Sequence, residues 1–115
     1  MVEVPTTAAP QEERLRQNID RLAGEIGERN FEHYLKLLEA AAFIEHSFEE
    51  VGYRSMRQEY EAQGMRFANI EVELQGQDLP QEIVIVGAHY DTERGSPGAN
   101  DNASGIACTC TRVCS

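Results

Sequence analysis

The chain has 115 residues, which is enough for one small domain with a modest hydrophobic core. Hydrophobic residues make up 41% of the chain and charged residues 26%, as expected for an ordinary globular protein. Asp and Glu number 20 against 10 Lys and Arg, so the net charge is -10. A charge of this sign repels phosphate backbones and anionic lipids, which argues against nucleic acid and membrane surfaces as partners.

The chain shows no targeting signal. Its first residues lack the basic start and apolar core of a signal peptide, and no apolar run is long enough to span a membrane. We therefore expect a cytoplasmic protein by default. The cysteines Cys108, Cys110 and Cys114 are odd in number and crowded at one end, so they do not predict a disulfide framework.

Two helices are predicted first. Residues 1–9 have little pattern and are expected to be loose. Apolar residues then recur at helical spacing from Leu15 to Ile26, which predicts an amphipathic helix ending near Gly24 or Gly27.

A second helix is predicted from about residue 31 to residue 51, with Asn30 as its N-cap and Gly52 as its C-terminal stop. Its apolar stripe is expected to contain Phe31, Tyr34, Leu35, Leu38, Ala41, Ala42, Ile44 and Phe48.

Strands are predicted to follow. The segment Tyr53–Tyr60 suits a short strand, and apolar and polar residues alternate over Ala68–Gln75, as in a strand with one wet face. A turn is expected at residues 76–80. Ile83–Val86 is continuously apolar, which predicts a central strand covered on both faces. The expected fold is α/β, with two helices followed by the strands of a mixed sheet.

Two polar residues follow this last predicted strand. If the strand continues, His89 and Asp91 point to the same face, while Tyr90 points away into packing. A neutral imidazole is a good zinc ligand, and a carboxylate two residues on can orient it. A histidine in this position can instead be purely structural or lie on a polar surface.

A second candidate lies in the loop of residues 95–105. Asp101 is flanked by small residues, so a metal ion or substrate has access to its carboxylate, which can bridge two zinc ions. The alternative is an ordinary turn-forming aspartate. Ser104 and Gly105 are expected to begin a helix.

These motifs resemble a known family. The sequences VGAHYD at 86–91 and PGANDNASG at 97–105 are similar to the co-catalytic di-zinc aminopeptidases, a metallopeptidase family that also contains glutamate carboxypeptidases and glutaminyl cyclase. The sequences IGERN at 26–30, HY at 33–34 and NIE at 69–71 also look like this family. The resemblance covers roughly residues 19–106.

The resemblance implies a fold, a site and an activity. The chain would be the N-terminal portion of a zinc-exopeptidase fold. His89 would be the first zinc ligand, Asp101 would bridge two zinc ions, and Asp91 would be the catalytic-site acid beside the ligand histidine. The peptide bond between Asp101 and Asn102 would be cis. The activity would be zinc-dependent hydrolysis of N-terminal peptide bonds in a peptide substrate.

The chain also departs from the family pattern. The family has a later Glu-Glu pair, one of which is the general base, and then a further acid and a histidine, and none of these follows Asp101 here. We therefore expect a fragment over residues 1–107 that is inactive alone and holds zinc weakly. The alternative is a non-enzymatic fragment or binding module that keeps half of the metal site. Without later elements to cover Ile83–Val86, we expect poor solubility or partial order.

Residues 108–115 are a further departure, because the family has a helix rich in Ala and Leu at this point. The cysteines and threonines here are weak helix formers. One choice of codons, with a single base removed after Ala107, gives Ala-Ala-Leu-Ala-Leu-Ala-Ser, so the tail is compatible with a frameshift. The competing interpretation is a cysteine-rich metal-binding tail.

Overall fold

The computed structural model describes residues 11–79 and 81–114, so the prediction for residues 1–9 lies outside the described residues. Helix α1 (Gln11–Ile19) continues as a wider helical segment over Asp20–Ile26. Gly27 has a φ of 79° and ends this helix, as predicted. A positive φ at this point favours glycine, because a side chain would be strained there.

The second helix is also confirmed. A single 3₁₀ turn (Phe31–His33) leads into α2 (Tyr34–Glu50). The side chain of Asn30 accepts a hydrogen bond of 3.1 Å from the backbone N–H of His33, which is the predicted N-cap. Gly52 follows the helix with a φ of 93°.

The apolar stripe of α2 differs from the prediction. The buried residues are Leu37, Ala40, Ala41, Ile44 and Phe48. The predicted members Phe31, Leu35, Leu38 and Ala42 are exposed, and Leu35 is 77% exposed. The helix is therefore rotated relative to the predicted stripe, because the residues that face the core recur at a spacing of three or four from Leu37 onward.

The two strands form an antiparallel hairpin. Strand β1 (Met56–Ala62) pairs with β2 (Met65–Glu71), and Ala62 faces Met65 across the turn. Gln63 and Gly64 have φ values of 53° and 77°, as in a two-residue type I′ turn. Both predicted strands exist, but β2 ends at Glu71, so the second half of the segment predicted over Ala68–Gln75 is irregular.

The central strand predicted for Ile83–Val86 is wrong. Within the described residues the sheet contains only β1 and β2, and the backbone over residues 82–93 is irregular. The four apolar side chains are between 70% and 88% exposed. The segment lacks a described neighbour with which to pair, so apolar character alone does not make it a strand. The predicted α/β class is nevertheless confirmed, with helices and a two-stranded sheet in one chain.

The last helix, α3 (Ser104–Cys114), follows a wide turn over Ala99–Ala103. It begins where predicted and continues through the cysteine-rich segment, which corrects the expectation of weak helix formation there. Cys110 is only 3% exposed and acts as a small apolar residue in the core. Cys108 is exposed, so these two cysteines do not face a common metal position.

The core lies between the helical segment of Asp20–Ile26, α2 and α3. Its buried members are Leu22, Ile26, Ala40, Ile44, Phe48, Ala103, Ile106 and Cys110. None of the helices within residues 11–79 and 81–114 combines the length and apolarity needed to cross a bilayer.

Candidate functional site

Three predicted residues meet at the surface. His89 Nδ1 lies 3.0 Å from Asp91 Oδ1, and His89 Nε2 lies 3.0 Å from Asp101 Oδ1. We call these three residues the His89 cluster. His89 and Asp91 lie on one side of the chain as predicted, although their segment is irregular rather than a strand. All three side chains are more than half exposed, so the cluster is open to solutes.

Tyr90 anchors the segment between two members of the cluster. Its hydroxyl donates a 2.5 Å hydrogen bond to the carbonyl of Ala68 in β2, and its ring packs against the core. Burial raises the pKa of the Tyr90 phenol, and the neighbouring Tyr60 acts in the same direction. The prediction that Tyr90 points into packing is confirmed.

Asp101 is held in a tight turn. Its peptide bond with Asn102 is cis, as the family resemblance implied. Gly98 opens the turn with a φ of 66°, and its carbonyl accepts a 2.9 Å hydrogen bond from the N–H of Ala103. A Cβ atom on Gly98 would lie 2.5 Å from Thr92 Cγ2 and 2.6 Å from the carbonyl oxygen of Asp101. Glycine is therefore the residue that this close approach permits.

The loop of residues 89–103 is hydrogen-bonded to Glu28 and Arg29, which follow the first helix. The N–H of Thr92 donates a 2.7 Å hydrogen bond to the carbonyl of Arg29, and the N–H of Arg29 donates a 3.0 Å bond to Thr92 Oγ1. Glu28 accepts a hydrogen bond from the N–H of Gly95 and also contacts His33 Nε2. The loop is thus fixed by groups that lie about sixty residues earlier in the chain.

The sequence pattern did not reveal two of these groups. Arg29 is completely buried and Thr92 is 6% exposed. Arg29 lies between Glu28 and Asn30, and Thr92 lies between Asp91 and Glu93, and such polar surroundings are typical of exposed loops. The only available signal for Arg29 was its position in the family-like sequence at residues 26–30, and that sequence assigned it no role.

Comparison with known proteins shows what this site is similar to. Residues 69–111, which include the whole His89 cluster, match the model of Peptidase family M28. The predicted resemblance is confirmed, and the chain is related to Peptidase family M28. The match ends within the cysteine-rich part of α3.

The chain is also similar to a curated protein over more of its length. The chain is 31% identical over 111 residues to the Uncharacterized protein YfbL of Escherichia coli (strain K12), an alignment that covers 90% of this chain and 33% of that protein. The chain therefore spans about a third of the length of the curated relative it matches. No solved structure matches the chain.

Members of Peptidase family M28 are generally zinc-dependent, so the His89 cluster can be tested for its fit to zinc. Two ligands bound to one tetrahedral zinc ion lie roughly 3.3 Å apart, close to the 3.0 Å between His89 Nε2 and Asp101 Oδ1. The contact of Nδ1 with Asp91 is the kind of carboxylate–histidine contact that orients a metal ligand. The donors fit zinc in type and spacing.

The number of donors is smaller than zinc requires. Catalytic zinc sites have three protein ligands and structural sites have four. Among the described residues, no group of three or more His, Cys, Asp or Glu side chains has the arrangement of a metal site. The cluster therefore contributes two potential ligands and one orienting carboxylate.

Proposed function

We propose that the chain supplies part of the active site of a zinc-dependent exopeptidase of the aminopeptidase type. The observation that carries the proposal is the position of His89, whose two ring nitrogens each lie 3.0 Å from a different carboxylate. In this proposal His89 and Asp101 are metal ligands. Asp91 holds His89 in the tautomer and orientation that leave Nε2 free to bind the metal.

The substrate in this proposal is a peptide with a free N-terminus. Zinc, when bound, polarises the scissile carbonyl and lowers the pKa of a water molecule. The protein residues then have separate tasks: Nε2 of His89 and the carboxylate of Asp101 bind the metal, and Asp91 accepts the Nδ1–H hydrogen bond. The open position of the cluster at the surface gives a peptide access to it.

A general base is needed to take the proton from the attacking water. Residues 102–115 contain no acidic side chain, and Glu28, which lies next to the loop, is already bonded to Gly95 and His33. We therefore expect the 115-residue polypeptide by itself to hydrolyse no peptide. The activity would belong to a polypeptide that also contains the later Glu pair of the family.

The second candidate function is a binding protein that keeps the fold without the chemistry. This candidate is favoured because the described residues contain no group of three or more potential metal ligands. Zinc content per polypeptide and release of the leaving group from a test substrate, measured together, separate the two candidates.

The test is a zinc titration of the 115-residue polypeptide, followed by the imidazole NMR signals, together with an aminopeptidase assay on an aminoacyl-p-nitroanilide. We expect weak zinc binding that shifts the His89 signals and is lost in His89→Ala and Asp101→Ala. His46→Ala is the control, because His46 is exposed on α2 and contacts Glu50 of the same helix at 3.1 Å. Zinc binding that survives both cluster variants would overturn the assignment. Turnover that is lost in Asp101→Ala would overturn the expected inactivity.

A further inference from the structure

The Arg29 side chain is the most unusual buried group in the described part of the chain. It is 0% exposed, and its guanidinium donates to backbone carbonyl oxygens in two segments, residues 22–27 and residues 90–98. The donor–acceptor distances are 2.6 Å to Tyr90, 2.7 Å to Pro97, 3.0 Å to Gly27, 3.1 Å to Leu22 and 3.4 Å to Gly98.

Burying a cation is costly unless its hydrogen bonds are satisfied. Within the described residues, Arg29 has no carboxylate in salt-bridge contact, so the carbonyl dipoles supply its compensation. Burial lowers the pKa of the Arg29 guanidinium, and the nearby negative charge of Asp91 acts in the opposite direction. Such an arrangement uses the rigid, planar donor set that distinguishes arginine from lysine.

The bonded carbonyls lie on both sides of the His89 cluster. Tyr90 lies between His89 and Asp91, whereas Pro97 and Gly98 lead into the turn that carries Asp101. The remaining bonds reach the end of the first helix, which belongs to the core. One guanidinium therefore joins the two arms of the loop to each other and to the core.

We propose that Arg29 is the positioning residue of the His89 cluster: its guanidinium sets the separation between the arm that carries His89 and the arm that carries Asp101. The proposal rests on the proposed metal-binding function of the cluster. Arg29 touches neither metal nor substrate in this role. It acts by holding the backbone from which the two ligands project.

The informative variant is Arg29→Lys. Lysine keeps the positive charge, but a single ammonium group on a flexible chain cannot bridge carbonyls on opposite sides of the loop. Arg21→Lys is the matched control, because Arg21 is a partly exposed arginine that pairs with Glu25 at 3.0 Å.

Two measurements on the same variant separate a positioning role from a general structural one. Amide hydrogen exchange reports the local loop, and we expect exchange of the Thr92 and Ala103 amides to accelerate about 10- to 100-fold in Arg29→Lys. The amides of α2 should keep their wild-type rates. The NMR titration with Zn²⁺ should show an affinity about 10- to 100-fold weaker, as expected when the support of a metal ligand is removed.

Each outcome decides the proposal. Unchanged exchange at Thr92 and Ala103, or an equal loss of protection throughout α2, would overturn the positioning role. Faster exchange in the loop with unchanged Zn²⁺ affinity would also overturn it. If wild-type protein binds no Zn²⁺ at His89, the proposed function fails for this polypeptide, while the exchange rates still show whether Arg29 holds the loop.

A second variant protects the test against misfolding. If Arg29→Lys does not fold, Thr92→Val removes the oxygen that accepts from the Arg29 N–H and leaves the guanidinium in place. We expect loop exchange to accelerate in this variant too, with α2 unaffected. Thr109→Val is its control, because Thr109 Oγ1 bonds to Gly105 of its own helix, at 2.9 Å. Global unfolding of Thr92→Val would count against a local role.

Discussion

Two neighbouring segments, the loop of residues 89–103 and the apolar segment of residues 82–88, differ in how they contact the core. Both are largely irregular in backbone conformation. The loop is polar and rich in glycine, yet it is fixed to the core by Arg29, Thr92 and Tyr90. The apolar segment has the composition of a core strand, yet Ile85 is 88% exposed.

The difference shows that partners, rather than hydrophobicity, decide which segment is fixed. An open groove of ≈ 940 Å³ separates the apolar segment from the core, and its other wall includes Ile44, Phe48, Ile70 and Ile106. Beneath the loop, by contrast, the buried Arg29 side chain occupies the space and satisfies the loop carbonyls. Backbone hydrogen bonds to a buried side chain can thus replace a sheet.

The largest expected effect comes from breaking the loop at its closest contact. Gly98→Ala should lower the free energy of unfolding by about 2–4 kcal/mol, because it combines positive-φ strain with overlap against Thr92 and Asp101. Urea denaturation followed by circular dichroism measures the loss.

Gly95→Ala is the matched control for this prediction. Gly95 has a φ of 82° in the same loop, but nothing lies within 4 Å of a Cβ built there. Strain alone should cost about 1 kcal/mol. Equal losses in the two variants would show that the tight packing around Gly98 contributes nothing.

The loop and the apolar segment also show which features of the fold can be predicted from the sequence. The helices were predictable, because their periodicity and their end signals at Asn30, Gly27 and Gly52 act locally. The proximity of His89 and Asp101 was predictable only through family motifs. No local sequence signal indicates that the carboxylate of Asp101 lies 3.0 Å from the imidazole of His89, twelve residues earlier in the chain.

The errors have a common physical cause. Ile83–Val86 was predicted as a central strand because of its composition, but pairing depends on a neighbouring strand that composition does not report. The burial of Arg29 depends in the same way on carbonyls that lie more than sixty residues later. The hairpin turn was missed for a smaller reason, since Gln63-Gly64 replaces the usual Asn-Gly or Asp-Gly of a type I′ turn.

A smaller effect tests the link between the loop and β2. Tyr90→Phe removes the hydroxyl that donates to the Ala68 carbonyl, and should cost about 1 kcal/mol at neutral pH. Urea titrations at neutral and alkaline pH measure this difference.

The pH dependence of this variant provides its internal control. The pKa of Tyr90 is raised in the folded protein, so the unfolded state ionises first as the pH rises above about 10. In the wild type, the contribution of Tyr90 to the free energy of unfolding is fully present below that pH and falls above it. The phenylalanine side chain of the variant has no proton to lose, so its contribution does not change with pH. The stability difference should therefore shrink at alkaline pH, and a difference that grows would contradict the burial of the phenol.

The smallest effect on stability is expected in the apolar segment. Ile85→Lys places a charge on a side chain that is 88% exposed, so the free energy of unfolding should change by no more than about 0.5 kcal/mol. The same change should reduce self-association, measured by sedimentation velocity, because exposed apolar patches promote aggregation.

Ile44→Val is the control: it removes a single methylene from a residue that is 3% exposed and should cost about 1 kcal/mol. If losing a buried methylene from Ile44 lowers the free energy of unfolding more than the charge at position 85 does, the apolar segment is exposed in solution. If Ile85→Lys is the more damaging change, the segment is packed, and the contrast between it and the loop disappears.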